Sequence, residues 1–301
     1  MILKSSDDKI TFIVDTIHSI GFETKGASIA CHKLAYELAN QGHYVYIFNE
    51  PLFPHLNIEV IPVEKKNEDD GWWNKFYWAP FGFNLSRTVS IYTQITWGNP
   101  MNTIHNTRWI LHDCDEELWD TFGVGEYVCN FGEFKTPEGT KQSSLTVFDY
   151  KFDDFYNTNN PNRKGFAHIV HKNTPDWGMG FLEQFGSAEI PHYNGQKGLE
   201  YLLEEFNKYE YLITFDDKSY YTSAAGLCGT KSIILNPNKE MTPIEYRMKN
   251  PIQMCGVAYG FDDIKWANDT IGLVRDNLQQ LEQKDKQTIL NFIEYWKNKL
   301  L

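Results

Sequence analysis

The sequence predicts an α/β protein made of two parallel-sheet domains, and two observations predict it. Short aromatic and β-branched runs alternate with helical stretches along both halves of the chain. Twice, too, a buried strand passes through a polar or glycine-bearing loop into a helix and on to a second buried strand. The clearest such unit is residues 211–235, YLITFDDKSYYTSAAGLCGTKSIIL. Tyr211–Phe215 is apolar throughout, as a strand covered on both faces must be. Ser219 suits the N-cap of the helix that follows. Ala224, Ala225 and Gly226 are small enough to let that helix lie close to a sheet. Gly229 suits the left-handed residue that ends it, and Ser232–Leu235 opens the next strand. In open α/β sheets ligands sit at the carboxyl ends of the strands, and a helix N-terminus at that edge favours an anion.

The remaining elements follow in order. Ile10–Asp15 is the first strand, and a polar loop (16–25, with His18 and Gly21) leads to a helix over SIACHKLAYELANQGH, whose Ile29, Leu34, Ala35 and Leu38 recur at helical spacing. Tyr44–Phe48 is the second strand. Further strands are expected at Ile58–Val63, Val89–Thr96, Thr107–His112, Tyr127–Phe131 and Leu145–Tyr150. Residues 71–83, GWWNKFYWAPFGF, are dense in aromatic rings whose flat faces suit sugar stacking if exposed. The polar stretch 151–166, with its Asn160-Pro161 turn, places a domain boundary near residue 160. The expected domains are 1–160 and 161–301. In the second, strands are expected at Ala167–His171, Ala188–Pro191 and within GVAYGF, with a helix at Leu199–Phe206 and two helices from Asp262 onward.

Composition bounds the function. Net charge is −12, with no local run of Lys or Arg to offset it, which argues against a nucleic-acid partner. The five cysteines are scattered without CxxC spacing, as in a reduced, cytoplasmic protein. No apolar run approaches the length of a membrane span. There is no GxGxxG, GxSxG, HExxH or P-loop, so dinucleotide, serine-hydrolase, zincin and Walker readings lack their signatures. Asp113-Cys114-Asp115 has a spacing compatible with a hard cation, yet the spacing is common by chance among 40 acids, and no metal is expected. A bound diphosphate calls for cations beyond a helix N-terminus, and Lys172, Lys218, Arg163 and Arg247 are the candidates.

Four segments resemble the nucleotide-sugar glycosyltransferases of the GT-B architecture, in particular a group of bacterial and viral members. They are GASIACHKLAYELANQGHYVYIF; GNPMNTIHNTRWILHD followed by GVGEYVCNF; NRKGFAHIVHK; and FDDKSYYTSAAGLCGTKSIIL followed by IEYRMKNP and CGVAYGFDDIKWA. The resemblance implies two Rossmann-like domains facing across a cleft, an N-terminal acceptor domain and a C-terminal donor domain. It implies that Asp216, Ser219, Tyr220, Tyr221 and Thr222 line a phosphate edge, that Lys172 faces the diphosphate, and that Glu245 and Arg247 hold ribose or phosphate. His171 and Asn173 stand where the family favours Arg and Gly, and Ala224 and Ala225 where many relatives have Glu. The expected reaction moves a sugar from a nucleotide-diphosphate donor to a glycan or glycolipid hydroxyl without a metal. The candidates for a general base on the first domain are His18, Asp113 and Glu126. Two alternatives stand beside it: a non-catalytic sugar-binding protein of the same fold, and a DNA-modifying glycosyltransferase.

Overall fold

A parallel strand finds its hydrogen-bond partners only in neighbouring strands, and helices must cover both of its faces. The chain meets that demand twice. The computed structural model describes residues 8–15, 26–48, 59–61, 85–99, 103–113, 116–123, 125–132, 134–136, 140, 142–170, 174–191, 198–216, 219–235 and 241–301. The chain divides into two units, Met1–Asp149 with Lys284–Leu301, and Tyr150–Gln283.

The first unit holds β1 (Thr11–Asp15), α1 (Gly26–Asn40), β2 (Tyr44–Phe48), β3 (Glu59–Ile61), β4 (Thr88–Thr93), β5 (His105–Ile110), α2 (Glu116–Trp119), β6 (Tyr127–Asn130) and β7 (Gln142–Ser144). Its strands run parallel in the order β3-β2-β1-β4-β5-β6-β7. The second unit holds β8 (Phe166–His168), α3 (Asp176–Gln184), β9 (Ala188–Glu189), α4 (Leu199–Phe206), β10 (Tyr211–Thr214), α5 (Tyr220–Leu227), β11 (Lys231–Ile234), α6 (Pro243–Lys249), β12 (Val257–Tyr259) and α7 (Ile264–Thr270). The long α8 (Val274–Leu300) follows. The second sheet is also parallel, ordered β12-β11-β10-β8-β9. Both expected Rossmann-like sheets are therefore present. Among the described residues, no helix is long and apolar enough to cross a membrane.

The expected boundary at 160 and the assignment of the whole tail to the second domain need correction. Residues 150–160 belong with the second unit: Phe155 is buried beside Phe206 and Tyr220, and Arg275 donates to the carbonyls of Phe152 and Phe155. The end of α8 belongs with the first. Its Ile289, Phe292, Ile293 and Trp296 join Phe12, Val14, Leu34, Leu38, Val89 and Trp109 in one core, and the Trp296 indole donates to Thr107 Oγ1 at 3.2 Å. The apolar stripe on this helix was legible in the sequence; which sheet it covers was not.

Residues 145–150 are not the expected strand. Leu145 and Val147 are buried, which produces the alternation, but their backbone is served otherwise. Leu145 N donates to Asn130 O, Leu145 O accepts from the Trp109 indole at 2.9 Å, and Thr146 N donates to Thr288 Oγ1 on α8 at 3.0 Å. The sheet's actual edge strand is β7, just upstream.

His43 precedes β2 in the wall of the first core. Its Nδ1 accepts from Ile10 N at 3.2 Å, its ring packs edge-on against Phe12, and its Nε2 has no partner among the described residues. Burial, then the nearby charges of Lys297 and Lys9, lower its pKa to about 4. The folded state therefore favours the neutral ring. The stability this represents is fully present above pH 6.5 and is lost as pH falls towards 4. Between pH 7.5 and 5 the first unit loses about 2 kcal/mol through this group alone. Urea unfolding followed at both pH values is expected to show that loss shrinking in His43→Gln, which keeps an acceptor but does not titrate.

Candidate functional site

Each sheet has one point where the strand order reverses, and loops from adjacent strands part there to leave a crevice. In the second unit the chain runs from β8 out to β9, then returns past β8 to place β10 on its other side, so the reversal lies between β8 and β10. Asp216 and Ser219 follow β10 at this edge. Lys172, expected after β8, lies outside the described residues, as do Asp217 and Lys218.

Ser219 caps α5 as expected, its Oγ accepting from Tyr221 N at 3.2 Å. Asp216 N donates to Thr214 Oγ1 at 3.1 Å, which turns the chain away from the strand. Tyr220 and Tyr221 are half-buried, with rings near Phe155 and Phe206 respectively. Thr222 departs from expectation. Its side chain is buried, donating to Ser219 O at 2.7 Å and accepting from Gln253 Nε2 at 3.1 Å. Being one turn into α5, it faces the 3-10 turn at Pro251–Gln253, not the edge. In the first turn of α5 the N–H groups of Tyr221 and Thr222 are given to Ser219 Oγ and Ser219 O, at 3.2 and 3.4 Å. Gly229 ends the α5 segment with φ of 83°, the left-handed value expected there.

Helix α3, which follows β8, is not among the elements expected from the sequence. Two glycines in DWGMGFLEQ lower its helix propensity and hide it. Gly178 is there for closeness: a Cβ would lie 2.8 Å from Phe215 Cζ, at the end of β10. Trp177 on the same turn packs edge-on against Phe215 with ring centres 5.3 Å apart, and it remains largely exposed. The spacing of Trp177, Phe181 and Leu182 was the signal that would have found the helix.

Two expected phosphate or ribose ligands are already engaged. Glu245 closes a capping box on α6, its carboxylate accepting from Thr242 N at 2.7 Å and Thr242 Oγ1 at 2.9 Å. Those bonds hold its pKa below the usual carboxylate value. Arg247 pairs with Asp263, which also accepts from Tyr259 N, and its guanidinium lies 4.4 Å from the Trp266 ring centre. Its Nε is buried without a partner among the described residues. Arg163 is not a free cation. It donates to the carbonyls of Phe206, Tyr209 and Cys228, tying together the C-terminal ends of α4 and α5.

In the first unit the order reverses between β1 and β4. Asp15, the last residue of β1, accepts from Thr96 Oγ1 at 2.6 Å, which bridges the crevice to the turn after β4. Behind that turn lies Arg108, fully buried. All five of its donors are used: Nε and Nη2 to both oxygens of Glu126 at 3.0 Å, Nη1 to the carbonyls of Thr93 and Thr96, and Nη2 also to Gly98 O at 2.7 Å. The rings of Tyr92 and Phe122 lie on it at 5.3 and 4.6 Å.

This corrects Glu126 as a base candidate. It precedes β6, at the amino edge of the sheet, and both its oxygens are taken by Arg108. Asp113 sits beyond the carboxyl end of β5, exposed, accepting from Lys135 N at 3.2 Å. His18, Cys114, Asp115 and the aromatic stretch 71–83 lie outside the described residues. Among the described residues, no three His, Cys, Asp or Glu side chains converge to hold a metal ion.

No known protein family matches the chain, and no curated protein does. Among solved structures it is similar to a sucrose-phosphate synthase from Thermosynechococcus elongatus, at 11% identity over 97% of each chain with a TM-score of 0.49. It is similar also to a glycosyltransferase from Rickettsia africae, at 9% identity over 97% of this chain and 96% of that one, TM-score 0.46. A third is an α-glucosyltransferase in complex with UDP and a DNA 13-mer, at 12% identity over 95% of each chain, TM-score 0.44.

The Arg108–Glu126 pair yields a direct test. Arg108→Met strands a buried carboxylate and is expected to cost about 3–5 kcal/mol in urea unfolding. Adding Glu126→Leu removes the stranded charge and is expected to recover part of that loss.

Proposed function

We propose that this protein is a glycosyltransferase that holds a nucleoside-diphosphate sugar on its second unit and transfers the sugar to a glycan or glycolipid hydroxyl without a metal ion. The observation that carries this reading is the strand order of the second sheet. Its reversal between β8 and β10 coincides with the loop to which the sequence resemblance assigns the donor phosphates. The Ser219-capped start of α5 supports it.

The chemistry asks for little more. As the acceptor oxygen bonds to the anomeric carbon, the bond to the diphosphate breaks and the diphosphate leaves with the electron pair. The positive end of α5, with Lys172 as the expected cation, is the part of the protein proposed to receive that growing charge. The proton of the acceptor hydroxyl goes to a base, for which His18 and Asp113 remain the candidates.

A panel of UDP, GDP, ADP, CDP and dTDP in EDTA tests the donor side. One of them at hundredfold excess over its Kd is expected to raise the melting temperature by about 5–10 °C, and Lys172→Ala is expected to abolish most of that shift. No shift with any member would overturn the donor assignment. A shift that appears only with added Mg2+ or Mn2+ would overturn metal independence. Release of the diphosphate with a supplied acceptor separates an enzyme from a sugar-binding protein of the same fold.

A further inference from the structure

The carboxyl edge of the first sheet carries a histidine whose ring is held twice. β5 ends at Ile110, and Leu111 N leaves the ladder to donate to Gln94 Oε1 at 3.0 Å, in the turn after β4. His112 follows and is exposed. Its ring stacks on Phe134 with centres 5.8 Å apart and planes 20° from parallel, and its Nδ1 lies 2.9 Å from the Asp113 carbonyl oxygen. Both supports are themselves fixed. Phe134 O accepts from Asn130 Nδ2 at 2.8 Å, and Asp113 Oδ1 accepts from Lys135 N at 3.2 Å. The loops after β5 and β6 are thus tied together at the imidazole.

A carbonyl oxygen can only accept, so the bond at Nδ1 requires the proton there. That sets the tautomer: in the neutral ring, Nε2 carries the lone pair. Among the described residues His112 makes no hydrogen bond but the one at Nδ1. The other described histidines lack this combination. His32, His43 and His168 are buried, and His105 opens β5 at the amino edge. An exposed histidine on its own would mean little. Here the protein sets both the ring orientation and the place of the proton, at the sheet edge where ligands of open α/β folds sit. The Gln94 contact joins its segment to the turn that Thr96 bridges to Asp15, at the reversal between β1 and β4.

We propose that Nε2 of His112 is the base that takes the proton of the acceptor hydroxyl, with Asp113 as its positioning residue. This rests on the glycosyltransferase reading and adds a residue to His18 and Asp113. As the acceptor oxygen bonds to the anomeric carbon, its proton passes to Nε2. The bond from that carbon to the diphosphate oxygen breaks, and its electron pair leaves with the diphosphate. The ring becomes an imidazolium, and its Nδ1–H bond to the Asp113 carbonyl strengthens as the charge appears. Solvent at the exposed ring then takes the proton away. The Asp113 carboxylate is the poorer base by geometry, because one of its oxygens already serves Lys135 N.

Release of nucleoside diphosphate from UDP-glucose, UDP-galactose, UDP-N-acetylglucosamine and GDP-mannose, with water or a methyl glycoside as acceptor, tests it on the full chain. With whichever donor turns over, His112→Ala is expected to lower kcat about a hundredfold or more. The KM for the donor and the nucleoside-diphosphate melting shift should stay as in the wild type. Imidazole added to the variant is expected to restore part of the rate, which the loss of a purely structural ring would not allow. A rate that survives His112→Ala overturns the assignment, and one that survives it but is lost in Asp113→Asn gives the role to Asp113. A rate that falls only together with donor binding also overturns it. A wild type that binds a nucleoside diphosphate but turns over no donor overturns catalysis, and the base with it, while leaving the donor site. One that neither binds nor turns over overturns the glycosyltransferase reading itself.

Discussion

A guanidinium sealed from water has to find every acceptor inside the protein, and Arg108 finds all five. Two come from Glu126, one is the carbonyl at the end of β4, and two are carbonyls of the turn after it. The cost of leaving any of them unmade is high in a dry interior, so the arrangement has essentially one geometry. That geometry folds the turn back over the sheet, brings Thr96 to Asp15, and sets the orientation of the chain entering β6. The polar layer beside it, in which Thr103 donates to Ser90 while Tyr92 and Asn99 pair, extends the same constraint along β4 and β5. The opposite face of that sheet is ordinary apolar core, closed by α1 and the end of α8.

The second unit is organised by closeness rather than by a buried charge. Ala224 and Ala225 are fully buried, and a Cβ on Gly226 would meet Val274 at 3.0 Å. Gly178 likewise lets α3 press on Phe215. Gly178 brings the start of α3 to the carboxyl end of β10, whereas Gly226, near the other end of α5, lets that helix approach α8. Arg163 holds the far ends of α4 and α5. The cation that composition offered as a phosphate ligand is thereby a brace for the helix whose other end lies at the site.

Several candidate residues changed meaning for the same reason. Glu126, Glu245, Arg163 and Thr222 are all polar groups near loops, and a sequence lists such groups without their partners. Once folded, each had a nearer and better-oriented partner inside the protein: a guanidinium, a capping hydroxyl, a set of helix-end carbonyls, a glutamine amide. Ser219 and Gly229 kept their expected roles because a cap and a left-handed turn are local. Their chemistry is satisfied within a few residues of chain.

That locality marks where sequence and tertiary structure divide. The sequence by itself determined the α/β class, the βαβ unit at 211–235 and the helix at 199–206, because hydrophobic period and capping chemistry act over one or two turns. Only the tertiary structure decided the order of the strands, and with it the two reversal points that locate the crevices. It alone also decided that the end of α8 covers the first sheet. Arg108 shows the physical reason most plainly. Whether an arginine is a surface cation or the buried anchor of a turn depends on acceptors 10–18 residues away, at Gly98, Thr96, Thr93 and Glu126. No periodicity in the chain records that those acceptors converge.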